Sequence, residues 1–499
     1  MSLKKNVIAN YSGNLMAVLI NFLLVPLYLR YLSVEEYGLI AFFGTLSSAF
    51  VILDMGLGLT VNKEVATSLA KGESKSQTSD IIRSFELVYW GVAFVIGLFV
   101  LISANWIASY WLNVETISDE TLTLIVSLMG LALLFRWPIS FYNNVLSGFQ
   151  KMVKLNVIKI IVLVLNILCL YLLFEYYKLK ISGFFKFLTL LYIVNITLLI
   201  FNVWNIKNIK PLAAKFNLNI LKKSKRYILG IGVFSILGTV FILLDKIVIS
   251  KFFLATDLGH YSLMSMMTLA LLQFVYPISS ALFPKFVENY TKNKKEESFL
   301  VFRKGYQIII VIVFSLSSTL LLFKNTIILL WTQNEEVTNK SIIYFTPLLL
   351  GTLLYTLHIL IVSIYTSLGR TKPINYLYGS VFVMFLFMLS IAVSEKNMLW
   401  VAYSWGSVNG ILLISSFFLG RKLLGAKNFK TFFLKDFLVA SLLLGVVLLL
   451  NYSYSFPKFS FFQAIIVIPV SLFGFLLIYS STSSYIRSYI VNLKNNYIK

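Results

Sequence analysis

The chain is poor in the residues that most enzyme chemistry uses. It has one cysteine, Cys169, and two histidines, His260 and His358, in 499 residues. A single cysteine excludes an internal disulfide and a cysteine metal cluster, and two histidines leave little for a histidine metal site. There is no G-x-x-x-x-G-K-S/T stretch, so a nucleotide-driven pump would need a separate motor subunit. The reading therefore expects no metal and no organic cofactor. Charge is scarce as well, at 13% of residues, and acids are scarcer still, 20 against 43 Lys and Arg. Long polar stretches are also missing, which excludes a sizeable domain between the apolar segments.

What remains is 59% hydrophobic, arranged in runs of about 18 to 25 residues, each long enough to span a bilayer. The pattern predicts an all-α polytopic membrane protein with about fourteen spans. They begin near Asn6, Tyr37, Ile81, Thr121, Leu155, Ser182, Arg226, Leu258, Tyr306, Ser341, Pro373, Met398, Asp436 and Phe461. The first run is too long for a signal peptide and lacks a small-residue cleavage site, so it counts as a span. The net charge of +23 does not indicate nucleic acid, because the bases are scattered through short connections. By this placement roughly 32 of the 43 Lys and Arg fall on one side, which the positive-inside rule makes cytoplasmic. The opposite connections carry Glu35, Glu36, Glu115, Asp119, Glu335 and Glu336. Both termini are expected in the cytoplasm.

The most basic connection splits the first twelve spans into six and six. The expected layout is an N-terminal lobe 1–205, a cytoplasmic linker 206–225, a C-terminal lobe 226–425, and two further spans with a tail in 426–499. The lobes look related. Arg30, Glu36 and Gly38 recur at the same offsets as Lys251, Asp257 and Gly259, and Lys151 with Asn156 echoes Arg370 with Asn375. Even span numbers keep both copies in one orientation, so the repeats are parallel with a cavity between them.

Four charges lie inside apolar runs: Asp54, Arg136, Asp245 and Lys246. A charge at bilayer depth costs several kcal/mol unless it faces water or a partner, so these point to a polar path and to transport. Arg136 precedes Trp137 and Pro138. It either holds an anionic head group, with Trp137 or Tyr142 to stack on a sugar, or pairs with Asp54. Asp54, in Asp54-Met-Gly56-Leu-Gly58, binds a coupling proton or sodium ion, balances Arg136, or caps a helix break. Asp245 and Lys246 are adjacent and point ~100° apart on a helix, so each is expected to need its own partner. Lys246 lies close enough to a span end to snorkel. Asn6, Asn10, Asn14 and Asn21 fall within a sector of roughly 80° on the first span. They form either a polar wall for sugar hydroxyls or glue between helices. His358 reads as a packing residue, and Lys151 as a head-group contact or a topology determinant.

These residues resemble the Wzx-type polysaccharide repeat-unit flippases of the multidrug/oligosaccharidyl-lipid/polysaccharide (MOP) exporter superfamily. The likeness rests on Asn10 and Pro26, Leu-Ser-Val-Glu35-Glu36-Tyr37-Gly38-Leu, Leu53-Asp54-Met-Gly56-Leu, Leu-Ser147-Gly148-Phe-Gln-Lys151, Asp245-Lys-Ile-Val-Ile and Gly259-His-Tyr261. The basic residue usual after the Asp-x-Gly motif is here Lys63. The resemblance implies a non-enzymatic flippase in the bacterial inner membrane, two six-helix lobes plus two helices, working by alternating access. Its substrate would be an undecaprenyl-pyrophosphate-linked glycan, such as an O-antigen unit. A polymerase and a chain-length regulator would be pathway partners, and an ion gradient the drive. The repeat, apart from the resemblance, places Arg30 and Lys251 at matching outer ends of the two lobes, where they are expected to help gate the exit. The alternatives are a MATE-like drug or metabolite exporter and a membrane polysaccharide polymerase or ligase. The cationic Arg136 speaks against the first, and the lack of a long outward loop against the second.

Overall fold

The computed structural model describes the backbone of residues 3–54, 56–206, 209, 214–454 and 459–483, with the side chains of 3–15 and 223–237 outside the description. The elements are helices, and no strand occurs among the described residues beyond one isolated bridge, Asn113 to Leu254. Hydrocarbon offers no partner to a backbone N–H or C=O, and a helix satisfies both within one segment. Among the described residues, twelve helical stretches are long and apolar enough to cross a membrane. Two further helices, α1 (Leu3–Tyr31) and α9 (Leu218–Phe252), stand where the sequence places the first and seventh spans. The protein is an all-α, multi-pass membrane protein.

The chain forms two compact units, 1–259 and 260–499. In the first, α1 is followed by α2 (Val34–Phe50), α3 (Leu57–Ala70), α4 (Lys75–Ile102), α5 (Asp119–Arg136), α6 (Ile139–Gly148), α7 (Met152–Tyr177), α8 (Ile181–Trp204) and α9. Helix α5 packs between α4 and α8, α1 lies along α7, α3 along α6, and α9 against α2.

The repeated motif explains itself at the start of α2 and of α10 (Ala255–Leu269). Its acid is a capping residue. The Ser33 N–H donates to Glu36 Oε2 at 2.8 Å and the Glu36 N–H to Ser33 Oγ at 3.2 Å, a capping box that satisfies two orphan donors. In the second copy the Leu254 N–H donates to Asp257 Oδ2 at 3.3 Å. Its glycine permits close approach. A Cβ on Gly38 would run into the Ala255 carbonyl oxygen, and one on Gly259 would lie 2.5 Å from that of Val34. The two first turns are thus pressed backbone to backbone, a contact no larger residue permits. The connection around 111–116 ties both copies down. Glu35 accepts from the Glu115 and Thr116 N–H groups and the Thr116 hydroxyl. Asn113 Nδ2 donates to the Lys251 carbonyl at 2.9 Å, and its own carbonyl accepts from the Ala255 N–H at 2.9 Å.

The second unit continues with α11 (Leu272–Thr291), α12 (Lys295–Leu322), α13 (Lys324–Thr332), α14 (Glu335–Ser367), α15 (Thr371–Ser394), α16 (Met398–Leu424), α17 (Ala426–Phe432), α18 (Val439–Ser453) and α19 (Phe461–Thr482). Helix α14 is its axis, buried along most of its length against α11, α12 and α16. His358 is buried on it, with Nε2 3.2 Å from the Tyr378 hydroxyl, a packing role. The span Ala426–Ser453 is fastened to α12 by a polar clamp. Arg303 reaches Asp436 through Nε at 2.5 Å and Nη2 at 3.0 Å, and Gln307 Nε2 adds a third bond at 2.6 Å. Asp436, 3% exposed, sits in a π-helical turn, Phe433–Leu438. Such turns re-aim side chains without ending a helix.

Three substitutions test these contacts. Gly38→Ala should destabilise the protein by about 1–3 kcal/mol through overpacking. Gly44→Ala on the same helix meets nothing within 4 Å and should be neutral or stabilising. Asp436→Ala leaves Arg303 without its carboxylate and should cost about 3 kcal/mol. Thermal unfolding in detergent reads all three, and equal midpoints for the two glycine variants would contradict the close-approach argument.

Candidate functional site

Within the first unit, Arg136 sits at the junction of two adjoining cavities of about 420 and 410 Å³. The sequence places it there by helix chemistry. Pro138 cannot donate to the ladder, so α5 ends at Arg136 and α6 restarts at Ile139, leaving the arginine on a break inside the span. Its Nη1 donates to the Tyr192 hydroxyl at 3.2 Å. The guanidinium carbon lies 5.5 Å from the Phe43 ring centroid and 5.6 Å from that of Tyr192, within the range of cation–π attraction. Among the described residues no carboxylate comes within ion-pair distance of Arg136.

That observation separates the two readings of Arg136. Asp54 lines the first of the cavities with it but forms no ion pair with it. Asp54 is held instead by the Tyr89 hydroxyl and by the Gly58 N–H at 3.2 Å. It closes a 3₁₀ turn, Val51–Asp54, and Gly56 with φ of 81° opens α3. Only glycine adopts that φ at no steric cost. Asp54 thus caps the helix break and also faces the cavity.

The rest of the lining mixes aliphatic side chains with hydroxyls, amides and aromatic rings. Asn143, Asn195 and Tyr192 border both cavities. Asn21, Lys159 and Asn166 line the second only. Of the asparagine stripe on α1, Asn21 therefore reaches the site, while the side chains of Asn6, Asn10 and Asn14 lie outside the described residues. Trp137 borders the first cavity and donates through Nε1 to the Phe50 carbonyl at 3.1 Å. Asn143, Asn166, Tyr192 and Asn195 were missed by sequence reasoning. Their signal was a polar residue within an apolar run, the same one that marked the α1 stripe.

Other expected site residues stand elsewhere. Tyr142 is fully buried; its hydroxyl donates to Glu86 at 2.6 Å and accepts from Trp90 Nε1 at 3.1 Å. Glu86 also takes Arg83 Nη1 at 2.5 Å and Trp204 Nε1 at 2.9 Å. This is a closed polar network, so Tyr142 is not placed to stack on a sugar. Asp245 and Lys246, expected to need separate partners, also meet each other. Lys246 Nζ lies 3.4 Å from Asp245 Oδ1, which also accepts the Lys246 N–H at 2.7 Å. The four-carbon lysine stem bends across the helical offset that a short side chain could not cross. Arg30 lies 3.9 Å from Glu175, and Lys251 Nζ donates to the Tyr110 carbonyl. Lys151 is exposed at the start of α7.

Comparison with known proteins adds the family. A model described as "Polysaccharide biosynthesis protein" matches residues 3–290, more than half of the chain, and a second, MatE, matches 230–393. The chain belongs to the polysaccharide biosynthesis protein family. No curated protein matches it by sequence. Solved structures share its fold. An inward-facing multidrug-resistance MATE transporter of the MOP superfamily has a TM-score of 0.68 at 14% identity, over 85% of this chain and 96% of its own. The lipid II flippase MurJ in an inward closed conformation has 0.68 at 16%, over 97% and 99%. A MOP-superfamily transporter from Pyrococcus furiosus, described as having a binding pocket of reverse polarity, has 0.58 at 14%, over 85% and 96%. This family member therefore has a transporter and flippase fold.

Two variants separate packing from site. Tyr142→Phe removes a hydrogen bond to the Glu86 carboxylate and should cost about 1–3 kcal/mol of stability. Arg136→Gln breaks no ion pair and should change stability by less than about 1 kcal/mol. Unfolding midpoints in one detergent decide this; a larger loss for Arg136→Gln than for Tyr142→Phe would reverse the assignment.

Proposed function

We propose that this protein flips an undecaprenyl-pyrophosphate-linked oligosaccharide from the cytoplasmic to the periplasmic leaflet of a bacterial inner membrane. It does so by alternating access of the lobes 1–205 and 226–425, with both termini in the cytoplasm. The observation that carries this reading is Arg136: a guanidinium inside a span, facing a cavity, with no carboxylate in ion-pair range among the described residues. A permanent cation at bilayer depth is costly, and a pyrophosphate offers the planar guanidinium a multiply charged partner whose oxygens can take its fork of donors. Around it, Asn143, Asn195 and Tyr192 supply the donors and acceptors that sugar hydroxyls need, with Asn21 extending that wall. Membership of a polysaccharide biosynthesis family and the full-length likeness to a lipid II flippase support the same reading. In this scheme Asp54 binds the coupling proton or sodium ion, and Arg30 and Lys251 act near the exit.

The MatE match over residues 230–393 favours a second reading, export of a small molecule on the same scaffold. An exporter of cationic compounds would be poorly served by a cationic cavity.

Arg136→Ala should cut surface polysaccharide at least tenfold at unchanged membrane abundance, in line with loss of a charge-assisted hydrogen bond of about 1.5–3 kcal/mol. Arg136→Lys should fall between, because it keeps the charge and loses the fork. Normal surface polysaccharide in Arg136→Ala would refute the head-group role. In proteoliposomes, Asp54→Asn should abolish the pH or sodium dependence of flipping; an unaltered dependence would remove Asp54 as the coupling site.

A further inference from the structure

A second cationic cavity lies within the unit 260–499, built from residues that the proposed function does not use. It encloses about 350 Å³ where the end of α11, the first turn of α12, the end of α14 and the end of α16 come together. Its cations are Lys294, Lys295, Arg370 and Lys422. Lys294 is matched by Glu297 at 2.6 Å. Arg370 Nη2 donates to the Tyr290 hydroxyl at 2.9 Å, and its guanidinium carbon lies 5.7 Å from that ring. No carboxylate lies within ion-pair distance of Lys295, Arg370 or Lys422 among the described residues.

An independent observation points to a missing partner. Asn289 lines this cavity and is 1% exposed. Neither its Nδ2 nor its Oδ1 meets a hydrogen-bond partner among the described residues. Buried amides are nearly always paired, and an orphan calls for an explanation such as an absent ligand. The first turn of α12 adds its own polarity. Lys294 precedes it without a side-chain cap, and Ser298 lines the cavity beside it. A helix N-terminus presents unpaired N–H groups and a positive dipole end. The set comprises a guanidinium fork, two ammonium groups without a carboxylate partner among the described residues (Lys295 and Lys422), an unpaired amide, and a helix N-terminus whose first turn also carries Glu296 and Glu297. Its donors suit a compact, multiply charged oxyanion.

We propose that this cavity is a phosphate site, taking the phosphate or pyrophosphate group of a lipid head group or of a soluble phosphate ester. The site does not rest on the flippase reading, since none of its residues borders the Arg136 cavities. The amide of Asn289 donates to one phosphate oxygen, Arg370 takes two, and Lys295 and Lys422 balance the remaining charge.

The test is titration of the full-length protein, in phosphatidylcholine nanodiscs, with inorganic pyrophosphate, followed by calorimetry. Saturable binding is expected. Arg370→Gln and Lys422→Gln should each weaken it about tenfold, as loss of a charge-assisted contact does. Asn289→Leu should weaken it too, without lowering the unfolding midpoint of the ligand-free protein, because it removes an unsatisfied amide. Lys427→Gln, a cation outside this cavity, should leave binding unchanged. Repeating the titration in nanodiscs that contain phosphatidylglycerol distinguishes the sources. Competition supports the site with a lipid head group as occupant, and no competition supports it with a soluble phosphate ester. Absence of saturable binding overturns the proposal. So does equal weakening by Lys427→Gln and Arg370→Gln, which would reduce the effect to the net charge of the protein.

Discussion

A bilayer interior cannot hydrogen-bond to the polar groups placed in it, and each arrangement in this protein answers that constraint. The backbone answers it by being helical. The small polar side chains answer it by turning back on their own helix: Thr189, Asn202, Ser315 and Asn409 all donate to the carbonyl four residues earlier. The longer charged groups cannot do this, so they gather. Glu86 collects Arg83, Tyr142 and Trp204, and Asp436 collects Arg303 and Gln307. Each cluster is saturated, and saturation is what makes a buried carboxylate a structural anchor.

Against that background the groups left open acquire meaning. Arg136 has aromatic faces and one hydroxyl where Arg303 has a bidentate carboxylate. Two arginines with the same chemistry thus have opposite roles, one fastening helices and the other facing a cavity. The amide of Asn289 is the neutral counterpart in the other unit. In both places the protein holds a donor for which its own described atoms supply few acceptors, and both proposals rest on that shortage.

The repeat in the sequence has a mechanical reading that its function-minded interpretation did not supply. The acids Glu36 and Asp257 cap helices, and the glycines Gly38 and Gly259 let two backbones touch. Recurrence of acid and glycine therefore records the need to start a helix squarely and to seat it against its counterpart. That need explains the spacing without reference to any ligand.

The sequence by itself determined the class, the positions of the spans and the identity of the intramembrane charges. It could do so because hydrophobic length and helical caps are local properties, readable within one segment. The break at Arg136-Trp137-Pro138 and the helix restart after Asp54-Met-Gly56 were legible for the same reason. Partnership was not legible. Whether Arg136 met Asp54, whether Tyr142 faced a cavity or Glu86, and whether Lys246 reached back to Asp245 each depended on distances of a few ångströms between segments far apart in the chain or on the bend of one flexible stem. Asn143, Asn166, Tyr192 and Asn195 look like other polar interruptions of apolar runs. Only tertiary packing brought them to one cavity, because a hydrogen bond or an ion pair is decided by geometry at contact, and a sequence carries composition and order but no contact distances.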